Sequence, residues 1–511
     1  MLKRHLSPGD SGGKTGDLSV IPDNIYIAGN RRTIDWKRIG FMSLGIALFC
    51  IVYFSPAWPD AVDPNGEIFE LSTQGKAALG LFLLAAIWWV FEVVPIGVTS
   101  ILIGIIQCLF LIRPAKVAFG DFMDPSVWFI IGSIVIGMSF SKSGLTNRMA
   151  YKMLTMFGEK TSRIYLGTFI MTFVLTLIMA HTAVAAALFP LLSTIYALYE
   201  TDDKPTKFGK GLFIGMAFVA GAGSIVTLLG SARGAVAIGF FGDIVGRDIG
   251  FFELSYFMAP VGIVMTFLLW GFIMVFFRPE HKTIPGLRKS ASSLSKKLGP
   301  MSRTESMTLT IVALTVLTLS FRSFIPGLEN LDKSAIILIS TVLFFIFKIL
   351  TIKDLELIPW NIILLFGGAM SIGFCLWETG AANWMAISWL GFFESSPWFV
   401  FVLGVSFFVL LTTNIIMNVA AIAIVLPVAL VIAPYLGVAP EVVLFSCLVT
   451  AGMPFLFLVG AAPNAIAYES KQFSSGEFFF TGIPASVILM AVLALFVGII
   501  WPIMGMPVTI N

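Results

Sequence analysis

Residues 179–190 read MAHTAVAAALFP and residues 416–427 read IMNVAAIAIVLP. Each is a run of small residues ending at a proline, Pro190 or Pro427, and Asn418 stands in the second where His181 stands in the first. Both lie inside long apolar stretches. An imidazole or a carboxamide is costly there unless it lines a cavity or binds something. His181, Thr182 and Asn418 are therefore candidate ligands at a membrane midplane. A second pair adds charge: GSARGAV (230–236) corresponds to GAAPNAI (460–466), which sets Arg233 opposite Pro463. A guanidinium at that depth is a strong bidentate partner for an anion. Arg233 or His181 is thus expected to contact an anionic substrate. The plainer roles are a neutral ring bonded to a neighbouring helix for His181, and a reach to headgroups or a watery vestibule for Arg233. Proton coupling through His181 has only the ordinary imidazole pKa of about 6.5 in its favour.

The elements that must hold these residues follow from composition. The 511 residues are 58% hydrophobic and 12% charged, far below the roughly 25% charge of soluble chains. Apolar runs near 39–56, 76–93, 95–112, 162–199, 210–240, 251–278, 306–322, 334–350, 396–433, 440–470 and 484–506 predict an all-α polytopic membrane protein. About eleven transmembrane helices are expected, each run approaching the ~20 apolar residues that a spanning helix needs. A β-barrel would show alternation, and these runs are continuous. Cys50, Cys108, Cys375 and Cys447 lie in apolar runs without metal-ligand spacing and read as buried free thiols.

Charge placement sets the expected orientation. Arg31, Arg32, Lys37 and Arg38 surround the start of the first run, whereas residues 58–75 carry no Lys or Arg. Arg278, Lys282, Arg288, Lys289, Lys296, Lys297 and Arg303 crowd the longest later loop. The reading is a polar cytoplasmic segment (1–36), a first helical repeat with a leading helix (37–278), a basic cytoplasmic linker (279–305) and a second repeat (306–511). The N-terminus is placed in the cytoplasm and, with an odd span count, the C-terminus outside. The polar, glycine-rich residues 1–36 are not expected to be a leader, and the basic linker is read as an orientation signal, not a nucleic-acid surface.

The repeat extends beyond the two opening pairs. WFIIG (128–132) and Gly144 match LLFGG (364–368) and Gly380, and SGLTNRMA (143–150) matches TGAANWMA (379–386). Five spans between equivalent stretches predict inverted repeats, as in secondary transporters, with broken helices meeting at the midplane. The glycine-interrupted stretches 125–143 and 359–380 suit two re-entrant hairpins.

At these residues the chain resembles the divalent anion:sodium symporter family, which contains dicarboxylate, citrate and sulfate carriers. The resemblance runs from about Asp35 to the end. IWWVFEVVPIGVTS (87–100) is similar to the family's Trp-Trp…Glu-x-x-Pro segment, the two opening motifs to its paired Ser-Asn-Thr signatures, and GAAPNAI to its Pro-Asn-Ala loop. The resemblance implies a substrate site built from His181, Thr182, Asn418, Val419, Pro463 and Asn464, to which Arg233 is added from the repeat. It implies sodium at Thr413 and Asn418 together with backbone near Gly452–Pro454, a set of oxygen donors that suits a hard cation. Thr176 is the matching first-half hydroxyl. The departures are specific: the signature Ser and Asn are Ala180 and His181 in the first half, and the signature Ser and Thr are Met417 and Val419 in the second. An imidazole offers nitrogen where the asparagine offers a carbonyl oxygen.

The function expected is secondary active transport of small anions, di- or tricarboxylate-like, coupled to Na+ by alternating access, in a bacterial inner or cell membrane and as a homodimer. Three alternatives differ in observable ways. A sodium-independent exchanger is favoured by the lost first-half asparagine, a carrier of a non-carboxylate anion such as sulfate by the altered signatures. An anion channel would not accumulate its ion. No P-loop, dinucleotide fingerprint or paired-carboxylate pattern supports an enzyme.

Overall fold

In a bilayer every backbone polar group must find its partner within the protein, and apolar runs satisfy this as helices. The structure, a computed structural model, describes residues 36–62, 68–200, 205–328, 330–393 and 397–510. The expected polar segment 1–36 lies outside them except for Trp36. The described chain is helical apart from a two-stranded ribbon, β1 (Ala61–Val62) against β2 (Ile68–Phe69). Before the linker come α1 (Trp36–Phe54), α2 (Thr73–Val90), α3 (Ile96–Leu109), α4 (Ala115–Gly120), α5 (Pro125–Lys142) and α6 (Leu145–Phe157). They are followed by α7 (Thr161–Thr176), α8 (His181–Tyr199), α9 (Lys207–Ser224), α10 (Ala232–Val245) and α11 (Phe251–Phe276). The linker contains α12 (Leu287–Lys297). After it come α13 (Arg303–Phe321), α14 (Lys333–Ile346), α15 (Ile352–Glu356), α16 (Trp360–Glu378), α17 (Ala381–Phe393) and α18 (Trp398–Ile415). The chain ends with α19 (Asn418–Tyr435), α20 (Pro440–Ala451), α21 (Ala462–Tyr468) and α22 (Ser475–Leu495), which continues through a π-helical turn into α23 (Trp501–Ile503).

Among the described residues, ten helices are long and apolar enough to cross a membrane, against the expected count of about eleven. The two counts cover different segments, because the ten include Ala115–Lys142 and Trp360–Glu378, which lie outside the expected runs. The runs at 95–112 and 334–350 fold as the 14-residue helices α3 and α14, about 21 Å long at 1.5 Å per residue and short of the ~30 Å hydrocarbon thickness. The runs at 162–199, 210–240, 396–433 and 440–470 each break into two helices. The stretches 125–143 and 359–380 also differ from expectation, since each forms one uninterrupted helix. Their turns come at the end, where Gly144 (φ 88°) and Gly380 (φ 74°) adopt the left-handed conformation open to glycine and lead into α6 and α17.

The two halves correspond in backbone detail. Leu111 and Lys348 both take a positive φ, 51° and 56°, just after α3 and α14. Ile112 and Arg113 donate to the Gln107 carbonyl as Ile349 and Leu350 donate to that of Phe344. The halves also exchange partners: α5 packs on α14, and α16 packs on α3. A buried network fastens the second exchange. Arg113 bonds Glu378 in a bidentate fork (2.8 and 2.9 Å), Asp121 (2.7 Å) and the Ser371 carbonyl, while Gln107 bonds Ser371 Oγ.

The linker is anchored. Leu287 and Ala291 of α12 are buried against α6, and Arg148 of α6 forks onto Glu305 (2.8 and 2.9 Å), which itself closes a capping box with Ser302. Lys142 at the end of α5 pairs with Asp354 of α15.

Candidate functional site

The breaks in the long helices place the motif residues. After Thr176 the chain unwinds through Leu177–Ala180 and resumes at His181, the first residue of α8; after Ile415 it resumes at Asn418, the first residue of α19. The two N-cap positions are Ala180 and Met417, and no side chain caps either helix. A helix start leaves several backbone N–H groups unpaired and carries a partial positive charge. The starts of α10 after Ser231 and α21 after Ala461 are uncapped in the same way.

All four starts line one cavity of about 310 Å³ between the halves. His181 and Thr182 come from α8, Ser231 and Ala232 from the head of α10, Asn418 and Val419 from α19, and Ala461 and Ala462 from the head of α21. Walls from α5 (Ile134, Gly137, Met138) and α16 (Ile362, Phe366) are apolar. Polar groups at helix starts inside an apolar shell are the kind of arrangement that suits a small anion, because low-dielectric walls strengthen helix-start dipoles.

His181 is held twice on one oxygen. Its backbone N–H donates to the Gly230 carbonyl at 3.0 Å, and Nδ1 lies 3.2 Å from the same oxygen. The plainer role considered for this ring, a bond to neighbouring backbone, coexists with its place in the cavity wall. The preceding loop is fixed by Ser133 Oγ donating to Leu229 O and Thr227 Oγ1 donating to Leu177 O.

The other ends of the broken helices meet nearby. A Cβ on Gly230 would lie 2.6 Å from Thr176 O and 2.8 Å from Ser224 O; a Cβ on Gly460 would lie 3.0 Å from Thr413 O. Thr413 Oγ1 reaches Ala451 O at 3.3 Å, while Thr176 Oγ1 donates to Phe173 O at 2.7 Å. These C-terminal turns carry partial negative charge and carbonyl oxygens, the donor type that sodium takes.

Of the expected substrate contacts, His181, Thr182, Asn418 and Val419 line the cavity, whereas Arg233, Pro463 and Asn464 do not. Asn464 Nδ2 instead donates to Pro454 O (2.8 Å) and Phe457 O (3.2 Å), holding the unwound strand after α20. Pro463 is buried in the first turn of α21. Arg233 is 1% exposed, and its guanidinium turns back to Ser231 and Ser224. Two contributors escaped the sequence reading. Asn414 Oδ1 accepts from Leu456 N (2.7 Å) and Phe457 N (3.4 Å) while its Nδ2 donates to Leu410 O (2.7 Å). Its signal was a carboxamide beside Thr413 in an apolar run. Ser231 left no comparable trace. Among the described residues no His, Cys, Asp or Glu cluster could hold a metal.

Comparison with known proteins agrees with this architecture. The family model for the sodium:sulfate symporter transmembrane region matches residues 36–507. The sodium-dependent dicarboxylate transporter SdcS of Staphylococcus saprophyticus is 26% identical over 463 residues, covering 86% of this chain and 89% of its own. SdcS of Staphylococcus aureus is 25% identical over 450 residues, covering 83% and 86%. In fold the chain is similar to MtrF of Neisseria gonorrhoeae (TM-score 0.56, 11% identity, 90% and 93% of the two chains). It is also similar to the YdaH transporter of Alcanivorax borkumensis (0.55, 14%, 92% and 98%).

Proposed function

The chain belongs to the sodium:sulfate symporter family, and from that membership we propose that it is a secondary active transporter moving small carboxylate anions together with Na+. One observation carries the anion: four uncapped helix starts line a single cavity. The anion's charge meets backbone N–H groups there, with His181, Thr182 and Asn418 as side-chain donors. Sodium belongs in the second half, where Thr413 and the Ala451 carbonyl lie at helix C-terminal ends and Asn418, at the start of α19, adds a carboxamide oxygen. The relatives named as sodium-dependent dicarboxylate transporters support a dicarboxylate as cargo.

Alternating access follows from the two-part build. The broken helices of both halves, with α5 and α16, form the cavity walls, so their movement as a unit exposes it to one side and then the other. The inverted relation of the halves, a cytoplasmic N-terminus and basic linker, an outside C-terminus and a homodimer belong to the same reading. An exchanger that needs no sodium is a second reading, favoured by the His181 contact to Gly230 O, which takes up a first-half carbonyl.

Uptake of labelled succinate into proteoliposomes tests the proposal. With an inward Na+ gradient, succinate should accumulate above its external concentration, and replacing Na+ by K+ should abolish this. Uptake only into succinate-loaded vesicles, indifferent to Na+, would establish the exchanger instead.

A further inference from the structure

Among the described residues two arginines are buried, Arg113 and Arg233, and their surroundings differ. Arg113 is paired with Asp121 and Glu378. Arg233, 1% exposed, has among the described residues no carboxylate within ion-pair distance. Its Nη1 and Nη2 donate to Ser231 Oγ and Ser224 Oγ, both at 2.7 Å. Ser224 donates its own hydroxyl hydrogen bond to Gly221 O (2.7 Å), leaving its lone pairs to the guanidinium. A buried cation without a counter-ion is expensive, and Arg233 adds to the cost by standing in the first turn of α10, where the helix dipole repels positive charge.

Its head bridges the N-cap Ser231 of α10 and the end of α9. Ser224 is the last residue of α9, and Gly452 directly follows α20. A Cβ on Gly452 would lie 2.8 Å from Nη2, so that glycine leaves room for the guanidinium. The charge thus rests where the C-termini of two broken helices, one from each half, carry partial negative charge.

The second half has no such group. Pro463 takes the repeat position of Arg233 and Ala461 that of Ser231, while Thr413, the repeat partner of Thr176, has its Oγ1 facing Ala451 O. We infer that the Arg233 guanidinium is a built-in cation that fills the first-half cation place, so that only the second half takes up mobile Na+. This rests on the transporter reading for its meaning. Its consequence is electrical: a charge fixed to the protein returns with the empty carrier and contributes nothing to the net charge moved per cycle.

The test measures binding, so it stands apart from transport. Equilibrium ²²Na+ binding and Na+-dependent melting are measured on purified full-length protein in detergent, at constant ionic strength. Arg233→Gln, which keeps most of the volume and loses the charge, should bind about one more Na+ per chain than the wild type, with melting that becomes more steeply dependent on Na+. Arg233→Lys should bind Na+ as the wild type does. For Arg233→Ala, where packing is lost as well, millimolar methylguanidinium should raise the melting temperature and compete with the added Na+. Arg233→Gln with wild-type Na+ stoichiometry and no Na+- or methylguanidinium-dependent stabilisation in Arg233→Ala would overturn the inference. If the wild type binds no ²²Na+, sodium coupling fails, yet a site gained in Arg233→Gln still supports the built-in cation.

Discussion

His181 and Asn418 open two helices at equivalent points of the two halves, and both line the same cavity. The equivalence is positional and not chemical. The His181 ring lies against Gly230 O, whereas Asn418 has a carboxamide oxygen to offer at the half where Thr413 and Ala451 meet.

Asn418 should therefore govern sodium. Asn418→Ala removes an oxygen ligand and is expected to raise half-saturating Na+ by about tenfold or more, the equivalent of ~1.4 kcal/mol. Titrating uptake against Na+ measures this; an unchanged Na+ dependence would remove Asn418 from the cation site.

The hydroxyls missing from the signatures can be restored. Val419 lines the cavity, and Val419→Thr adds a donor at nearly the same volume. A net hydrogen bond of about 0.5–1.5 kcal/mol lowers the KM for a dicarboxylate roughly two- to tenfold. A KM that stays the same or rises would place the carboxylate away from α19.

Asn414 is predicted to be structural. Asn414→Leu leaves the backbone N–H groups of Leu456 and Phe457 without their acceptor, at about 1–3 kcal/mol for a buried unsatisfied group. A lowered melting temperature with Na+ affinity moved less than in Asn418→Ala is the expected pattern.

At the end of α5, hydrogen bonds from Lys142 and from Thr351 hold the Asp354 carboxyl down at about 2. A depressed carboxylate contributes its stability above the ordinary carboxylate range and loses it as pH falls from about 4 toward 2. Lys142→Gln should raise the folded-state pKa of Asp354, so that stability is lower near neutrality and less of it is lost on acidification. Thermal unfolding followed across acid pH reads the shift.

Much of the fold was legible because apolar runs and the repeated motifs are local. Broken helices were expected from the repeat, but the runs at 162–199 and 396–433 read as continuous, because apolar composition carries on through the breaks at 177–180 and 416–417. Helix lengths at α3 and α14 were overestimated, since apolar composition continues past the positive-φ turns at Leu111 and Lys348. The direction of Arg233 was not legible at all. It depends on the space at Gly452 and the hydroxyls of Ser224 and Ser231, and Gly452 lies far away in the chain. Asn464 was misplaced for a similar reason: the first turn of α21 shows Ala461 and Ala462 to the cavity and turns the next residues toward Pro454.

The most direct test of the cavity as the anion site is substrate protection of an introduced thiol. Ala462→Cys places a sulfhydryl in the wall, in a background where Cys50 and Cys108, the two cysteines that are not fully buried, are replaced by Ala. Succinate with Na+ should slow its modification by a small methanethiosulfonate reagent several-fold, and succinate with K+ should not. Modification at one rate in all conditions, in protein that still transports succinate, would contradict the assignment of the anion to these four helix starts.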